Sequence, residues 1–562
     1  MTTLTPRYKD LNGAPEGVLT SGIELSTIIT AIGSEVSNFI INKNCIVTAN
    51  TTIPSNVAVS VLNGSIISIS TGVTLTINGA FSAGVYKVFT CTGTGKVVFN
   101  SQFTTVGYPE WWGAISNDGT KDCLAAISAC VLACTVTQLQ AADYFISGTL
   151  KLQTRTRTLR GVGFNYLGGD SASSTRIVVL SGSLNVIQMG PDTEPSGGIN
   201  NFLTDVRVEN LQVTRSVASV IGSDCAGILN QYTLYSYIDK VKSAENQICF
   251  HFGGCVQAHT TNCYAFRSTA GSGSGTDKFY GYYIDGIGYN IGAAGGNASI
   301  YFDTCNSSGA SSVPANSIGF FLQGAFTDCY VANCELNSTA YGIYVSGLGS
   351  ATQQYGNNDL LITAPVIDVF NTAGIRFDQI SKYGSISVNG GYCAPASGSG
   401  PVAGLYFTDS LGQISISDFQ IIGNSSTSCT GISAITASNI ESRTQIIDCN
   451  TSPISLTSVT NSRFLDHVTN YGNATSSPVV TLVSNNNRNY FQVFAIGKAS
   501  AFTLGYQGIG TTNTYNELNC TGLDPAAITS GSANKLVWNS TQITVTGAIS
   551  AGTTNYASGV MA

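Results

Sequence analysis

The stretch TDCYVANCELNSTAYGIYVSG (residues 327–347) places two cysteines, two acids and a Gly-Ile-Tyr-Val strand in one short window. Its C-terminal half recurs along the chain. GYYID (281–285), GFFLQ (319–323), GIYVS (342–346), GIRFD (374–378), GLYFT (404–408) and GISAI (431–435) follow one another at intervals of 23 to 38 residues. CFHFG (249–253) and GILNQ (227–231) extend the series upstream. Each reads as a short strand entered through Gly or a small residue, which permits a tight turn. A second strand lies in the intervals: AHTTNCY (258–264), YFDTCN (301–306), FTDCY (326–330) and IIDCN (446–450). Laid over one another, these put Cys263, Cys305, Cys329 and Cys449 in one column. SISVNGG (385–391) and QISISDFQII (413–422) alternate with a period of two and carry no helical period.

Irregular repeats of two or three short strands fit a parallel β-helix, in which each unit packs only on its neighbours. A leucine-rich repeat would show a regular L-x-x-L-x-L frame, and a β-propeller would need four strands per blade. Rungs of a β-helix stack ~4.8 Å apart, so side chains at one rung position form ladders. The cysteine column is then an interior stack of small hydrophobic thiols. Composition agrees. Charged residues are 10% of the 562 positions, against roughly 25% in ordinary soluble domains. Gly reaches 62 while Met is 3, which suits strands and turns rather than long surface helices.

The net charge of −7, with no basic stripe, argues against a nucleic-acid partner. No apolar run approaches the ~20 residues that span a bilayer, so membrane insertion is not expected. The N-terminal MTTLTPRYKDLNGAPEG lacks an apolar signal core. Sixteen cysteines are diluted over the chain, and the spacings Cys123/Cys130/Cys134, Cys249/Cys255/Cys263 and Cys329/Cys334 lack the paired C-x-x-C of zinc sites. The three histidines are His251, His259 and His467. Neither a metal nor a cofactor is expected.

Upstream of the repeats lies TVGYPEWWGAISNDGTKDCLAAISACVLAC (105–134). Asp118-Gly119 is a turn signal, Thr120 is a candidate helix cap, and Leu124, Ile127, Val131 and Cys134 recur at helical spacing. A helix over 120–134 would cover the open end of a β-helix core. YPEWWGAISNDGTKDCLAAISA (108–129) resembles the segment that opens the pectate-lyase-like β-helix of bacteriophage tailspikes and related bacterial polysaccharide depolymerases. TLTINGAFSAGVYKVFTCTGTGKVVF (74–99) resembles a small β module that often precedes it. On this resemblance Glu110, Trp111, Asp118 and Asp122 belong to the capping structure.

The resemblance implies an all-β chain: a right-handed single-stranded parallel β-helix with an N-terminal capping helix and a C-terminal β domain, assembled as a homotrimer. Residues 1–35 would be a short anchor or particle-binding segment, 36–106 the small β module, 107–475 the β-helix, and 476–562 a trimerising C-terminal domain. It further implies a phage tail protein of the virion, made in the host cytoplasm without a signal peptide. The N-terminus would join the phage baseplate or another tail protein. The implied ligand is a bacterial surface polysaccharide, capsule or O-antigen.

Strand alternation divides the Gly motifs into faces. Positions one and three after Gly should point inward, positions two and four outward. The first outward column reads His251, Tyr283, Phe321, Tyr344, Arg376, Tyr406; the second reads Gly253, Asp285, Gln323, Ser346, Asp378, Thr408. An outward row of aromatics calls for a cover, either sugar rings or a neighbouring subunit. Candidate substrate-binding residues are therefore Tyr283, Asp285, Phe321, Gln323, Tyr344, Arg376, Asp378 and Tyr406.

Glycoside hydrolysis needs two carboxyls, ~5–5.5 Å apart for retention and ~6.5–9.5 Å for inversion, and adjacent rungs can supply either separation. Glu335 follows an inward Cys334 and should face out, so it is the first candidate catalytic carboxyl. Its partner would be Asp368, about one rung after, or Asp303, one rung before. An Asp beside a turn commonly bonds backbone N–H groups instead. The function these features favour is binding and endoglycosidic hydrolysis of a surface polysaccharide. Two alternatives stay open. A lyase on a uronic-acid polymer would need a base and a cation, for which Arg376 beside Tyr344 and Tyr406 is placed. A non-catalytic adhesin would keep the aromatic row without a working carboxyl pair. An esterase lacks its G-x-S-x-G elbow.

Overall fold

The computed structural model describes residues 22–497 except 101, 167–172, 269–276, 288–296, 310–315, 348–357, 397–401, 424–427, 450, 472–478 and 484, with separate strands between 506 and 561. Most of the expected 1–35 anchor therefore lies outside the described residues. Two compact units divide the chain. One takes residues up to Pro195, Asn201–Leu229 and Thr233–Ala244; the other takes Ser196–Asn200, Asn230–Tyr232 and everything from Glu245.

In the first unit, nine short strands between Ser37 and Phe99 make three coils of three strands each. Every pairing among them is parallel. The small β module is thus itself a short three-sided parallel β-helix. Its alternating strands bury Phe39, Ile41, Val59, Ile67, Leu75 and Ile77. The Trp111 indole donates to Gly84 O at 2.9 Å and packs on Phe81, ring centroids 5.2 Å apart. Glu110 accepts the Tyr144 hydroxyl at 2.6 Å, and Asp118 accepts the Thr120 hydroxyl at 2.7 Å. The helix runs Leu124–Ala133, shorter than the expected 120–134. Thr120 is not its cap: Asp122 accepts the Leu124 N–H at 2.9 Å, and its carboxylate also takes the Ser147 hydroxyl. All four motif residues are bound into the structure around them.

In the second unit the coils from Ile248 to Pro395 have three strands each, and in Gln413–Ile422 and Ile440–Ile447 the second and third strands of the coil run on as one. The coil carrying the opening stretch runs Asn316–Gly324, Phe326–Ala332, Glu335–Asn337, and the next begins at Tyr341–Ser346. The first face holds the Gly motifs: Lys278–Gly286, Asn316–Gly324, Tyr341–Ser346, Ala373–Asp378 and Val402–Thr408, all parallel. The second face stacks Asn297–Asp303, Phe326–Ala332, Asn358–Thr363 and Ser385–Asn389. The third stacks Asn306–Gly309, Glu335–Asn337, Val366–Phe370 and Tyr392–Pro395.

One residue in the left-handed conformation turns the chain from the second face to the third. Asn262 (φ 52°), Thr304 (54°), Asn333 (53°), Ala364 (47°), Gly390 (66°) and Asp418 (54°) occupy this bend in successive coils. Asn, Asp and Gly adopt that region most readily, which explains their use here. The residue after each bend points inward, so the thiol column is Cys263, Cys305 and Cys334, the last two buried to 0% and 1% exposure. The column inferred from the sequence is corrected at Cys329. That residue sits inside the second face opposite Leu360, and burial pushes its thiol up to about 12. Cys449 also follows a left-handed residue, Asp448, and lies 3.4 Å from Cys429, sulfur to sulfur.

The glycines of the first face serve close packing rather than a turn. A Cβ on Gly342 would fall 2.3 Å from Ile367 Cγ2, and one on Gly404 would fall 2.3 Å from Ile421 Cγ2. Beside them run interior stacks: Phe250, Tyr282 and Phe320 follow at 4.9 and 4.4 Å with rings nearly parallel. The parallel pairing does not stop at 475. It continues through Tyr490–Gly497 and Glu517–Thr521 to Lys535–Trp538, and among the described residues the antiparallel pairs are Ile543–Thr544 with Val560–Met561 and Ile549–Ala551 with Thr554–Tyr556.

Candidate active site

Glu335 opens its third-face strand directly after the Asn333–Cys334 bend. Period-two alternation buries Leu336 and Ile367 (both 0% exposed) and turns Glu335, Val366 and Asp368 outward. Glu335 lies opposite Val366, and Asn337 lies opposite Asp368, so the two acids are diagonal neighbours on adjacent rungs. One rung step and two residues along a strand put their Cα atoms about 8 Å apart. Glu335 is exposed and Asp368 half-buried.

The next rung adds a group that the sequence did not single out. Tyr392 lies opposite Val366, and its hydroxyl donates to Asp368 Oδ2 at 3.0 Å. Its phenol is raised above the ordinary tyrosine value, first by burial, then by the bond to Asp368 and the charges of Asp368 and Glu335. Glu335, Asp368 and Tyr392 therefore share one electrostatic neighbourhood. Asp303 does not join them. It aligns with Ala332 on the second face, before the bend, and accepts the Asn333 side-chain amide at 3.0 Å. Asp303 lies on the preceding rung, as expected, but the residue opposite Glu335 on that rung is Asn306.

The first-face columns stand in the expected register. Tyr283, Phe321, Tyr344, Arg376 and Tyr406 are successive partners, as are Asp285, Gln323, Ser346, Asp378 and Thr408. Their ring faces are turned on one another: His251, Tyr283 and Phe321 stack at 4.8 and 5.1 Å, and Tyr344 follows at 5.2 Å. A sugar meeting this row finds ring edges and hydroxyls rather than open faces. The polar groups are also tied together. Tyr283 donates to Gln323 at 2.7 Å, and Asp285 accepts the Ile287 N–H at 2.9 Å with His251 Nε2 3.5 Å away. Asp378 accepts Tyr344 at 2.8 Å, Arg376 at 3.0 Å and Thr408 at 2.9 Å. Burial, then the bond to Asp378, holds the Tyr344 phenol well above its usual range. The Arg376 guanidinium sits 4.7 Å from the Tyr344 ring centroid and 5.3 Å from that of Tyr406.

Two short connections bring the faces together. Ser338–Thr339–Ala340 joins Glu335–Asn337 to Tyr341–Ser346, and Asn371–Thr372 joins Val366–Phe370 to Ala373–Asp378. The neighbouring coils have longer links at this corner, from Gly309 to Asn316 and from Pro395 to Val402. Glu335 and Asp368 thus stand on one side of a tight corner, with Tyr344, Arg376 and Asp378 on the other. The acids Asp328 (φ 52°) and Asp359 (φ 55°) have a different use: they hold left-handed positions inside second-face strands. Among the described residues no group of three or more His, Cys, Asp or Glu side chains is arranged to hold a metal ion.

No protein-family model matches the chain, and no curated protein sequence matches it. Solved structures do. A tailspike protein variant of E. coli bacteriophage HK620 superposes with a TM-score of 0.52 at 9% identity, covering 75% of each chain. A second variant of that tailspike, in complex with a pentasaccharide, gives 0.51 at 11% identity, covering 75% of this chain and 76% of the other. A GH87 alpha-1,3-glucanase catalytic unit from Streptomyces thermodiastaticus gives 0.43 at 13% identity, covering 77% and 69%. The chain has the parallel β-helix fold of phage tailspikes.

Proposed function

We propose that the protein is a phage tailspike that binds a bacterial surface polysaccharide, capsule or O-antigen, and cleaves it as an endoglycosidase. The observation that carries this reading is the outward pair Glu335 and Asp368 on adjacent rungs, with Tyr392 bonded to Asp368. With Cα atoms about 8 Å apart, the two carboxyls can take the ~6.5–9.5 Å separation of inversion, in which a water must fit between one carboxyl and the sugar. Asp368, oriented by Tyr392, holds that water as general base. Glu335 protonates the leaving oxygen. Tyr344, Arg376 and Asp378 contact the glycan across the corner through hydroxyl, guanidinium and carboxylate edges, and half-buried Tyr283, Gln323 and Tyr406 continue that wall, with Phe321 and Asp285 buried behind it. The fold likeness to a tailspike whose structure holds a pentasaccharide supports the ligand class. As a tailspike it would assemble as a homotrimer and join the phage baseplate or another tail protein through its N-terminal segment.

A lyase is less well served. Arg376 already has its charge met by Asp378 and lies among aromatic rings. The test is a panel of purified capsule and O-antigen polysaccharides incubated with the protein. New reducing ends without the ultraviolet absorbance of an unsaturated product support hydrolysis. Such absorbance shows a lyase, and binding with neither shows an adhesin.

A further inference from the structure

The third-face column that contains Glu335 continues without a break. Glu335, Val366, Tyr392, Gln420, Gln445 and His467 are successive register partners. At its far end lies a cleft of about 860 Å³ lined by Asp418, Gln420, Arg443, Gln445, His467 and Gln492, with Thr444 and Leu465. The cleft forms where the strand Gln413–Ile422 carries its left-handed bend at Asp418, which shifts the register between Ser417 and Phe419. The bend turns the chain from the second face to the third and leaves a concave strip between them.

We infer that this cleft is a distal saccharide subsite, which holds a neutral stretch of the same glycan chain that is cut at Glu335 and Asp368; the inference rests on the function proposed above. Five rung steps separate Glu335 from His467, about 24 Å, the span of several sugar units. The lining chemistry fits sugar hydroxyls. Gln420 and Gln445 are bonded to each other at 2.9 Å, which fixes both amides and leaves further donors and acceptors toward the cleft. Gln492 adds a third amide. Leu465, half-buried, offers an apolar surface for the C–H face of a ring. Arg443 is paired with Glu441 at 3.0 Å, so the strip carries little net charge and does not call for an acidic sugar. The Thr444 hydroxyl is already used on Asp466 at 2.9 Å, which leaves recognition to the amides, Asp418 and His467.

The experiment reads binding on an array of purified capsule and O-antigen oligosaccharides of graded length, with Glu335→Gln as the parent so that no chain is cut. Gln445→Ala and Gln492→Ala are added singly, and each melting temperature is checked against the parent. The expected result is affinity that rises with chain length in the parent. Either second substitution should remove about tenfold of the affinity for long chains and less than about twofold for the shortest bound fragments. An unaltered length dependence, or an equal loss for short and long chains, would overturn the subsite. Length-dependent binding by the unaltered protein, with none of these glycans cut, would contradict the hydrolase reading and leave the subsite standing.

Discussion

The Tyr392 hydroxyl donates to Asp368 Oδ2 at 3.0 Å, and the charge of Glu335, two strands back in Tyr392's own column, acts on the same phenol. A hydrogen bond to a charged group contributes about 1.5–3 kcal/mol. Tyr392→Phe should therefore lower turnover on a cleaved polysaccharide by about ten- to a hundredfold, with KM little changed. Titration of labelled tyrosine followed by carbon NMR should show the Tyr392 phenol moving down in Asp368→Asn and, less far, in Glu335→Gln. An unmoved phenol in both variants would separate Tyr392 from the pair.

Arg376 is held among the Tyr344 and Tyr406 rings and on Asp378. Arg376→Met should cost about 1–2 kcal/mol in urea unfolding. Asp378→Asn combined with it should cost less than the sum of the two single changes, because both break one network. Additive costs would show that the contacts act independently.

The buried thiols predict chemical silence. Burial raises the Cys334 and Cys329 thiols, the latter to about 12, while hydrogen bonds from Cys263 and Cys334 lower that of Cys305 against its burial. Cys305 is 0% exposed, so no reagent reaches it in the folded chain. None of the three should react with a disulfide reagent in the folded protein at pH 8, and all three should react after denaturation. Rapid labelling of the native protein at these positions would contradict their placement.

Asp466 is fully buried, and its carboxyl is raised by burial, although its Oδ1 accepts from Ser442, Thr444 N–H and the Thr444 hydroxyl. Because the folded value lies above the unfolded one, the neutral form stabilises the fold. That contribution is fully present below the unfolded value and is lost as pH rises through the folded one. Asp466→Asn, neutral throughout, should melt higher than the parent at pH 7, with the gap closing toward pH 4. A gap that stays constant with pH would mean that Asp466 does not titrate on unfolding.

The parts of this architecture that follow a period of two were legible in the sequence. Anchoring on the glycines placed Tyr283, Phe321, Tyr344, Arg376 and Tyr406 in one outward column, because alternation from a common origin fixes the face. The slip came at the bends. Asp328-Cys329 and Asn333-Cys334 look alike as dipeptides, and both acidic or amide residues are left-handed. Only the second lies at a corner, so Cys334 joins the thiol column and Cys329 stays within a strand. Asp303 does lie one rung before Glu335, but it precedes the bend and meets Ala332 on the second face. Tyr392 went unnoticed because its neighbourhood depends on the third face, whose register is counted from these corners. The recurring Asn-Cys and Thr-Cys pairs at 262–263, 304–305 and 333–334 were the signal that could have located it.

The most direct measurement is the turnover of Glu335→Gln on a polysaccharide that the unaltered protein cleaves, with binding followed in parallel. Loss of turnover by about a thousandfold or more, with affinity retained, is the predicted result. Turnover close to that of the unaltered protein would contradict the assignment of Glu335 and Asp368 as the catalytic pair.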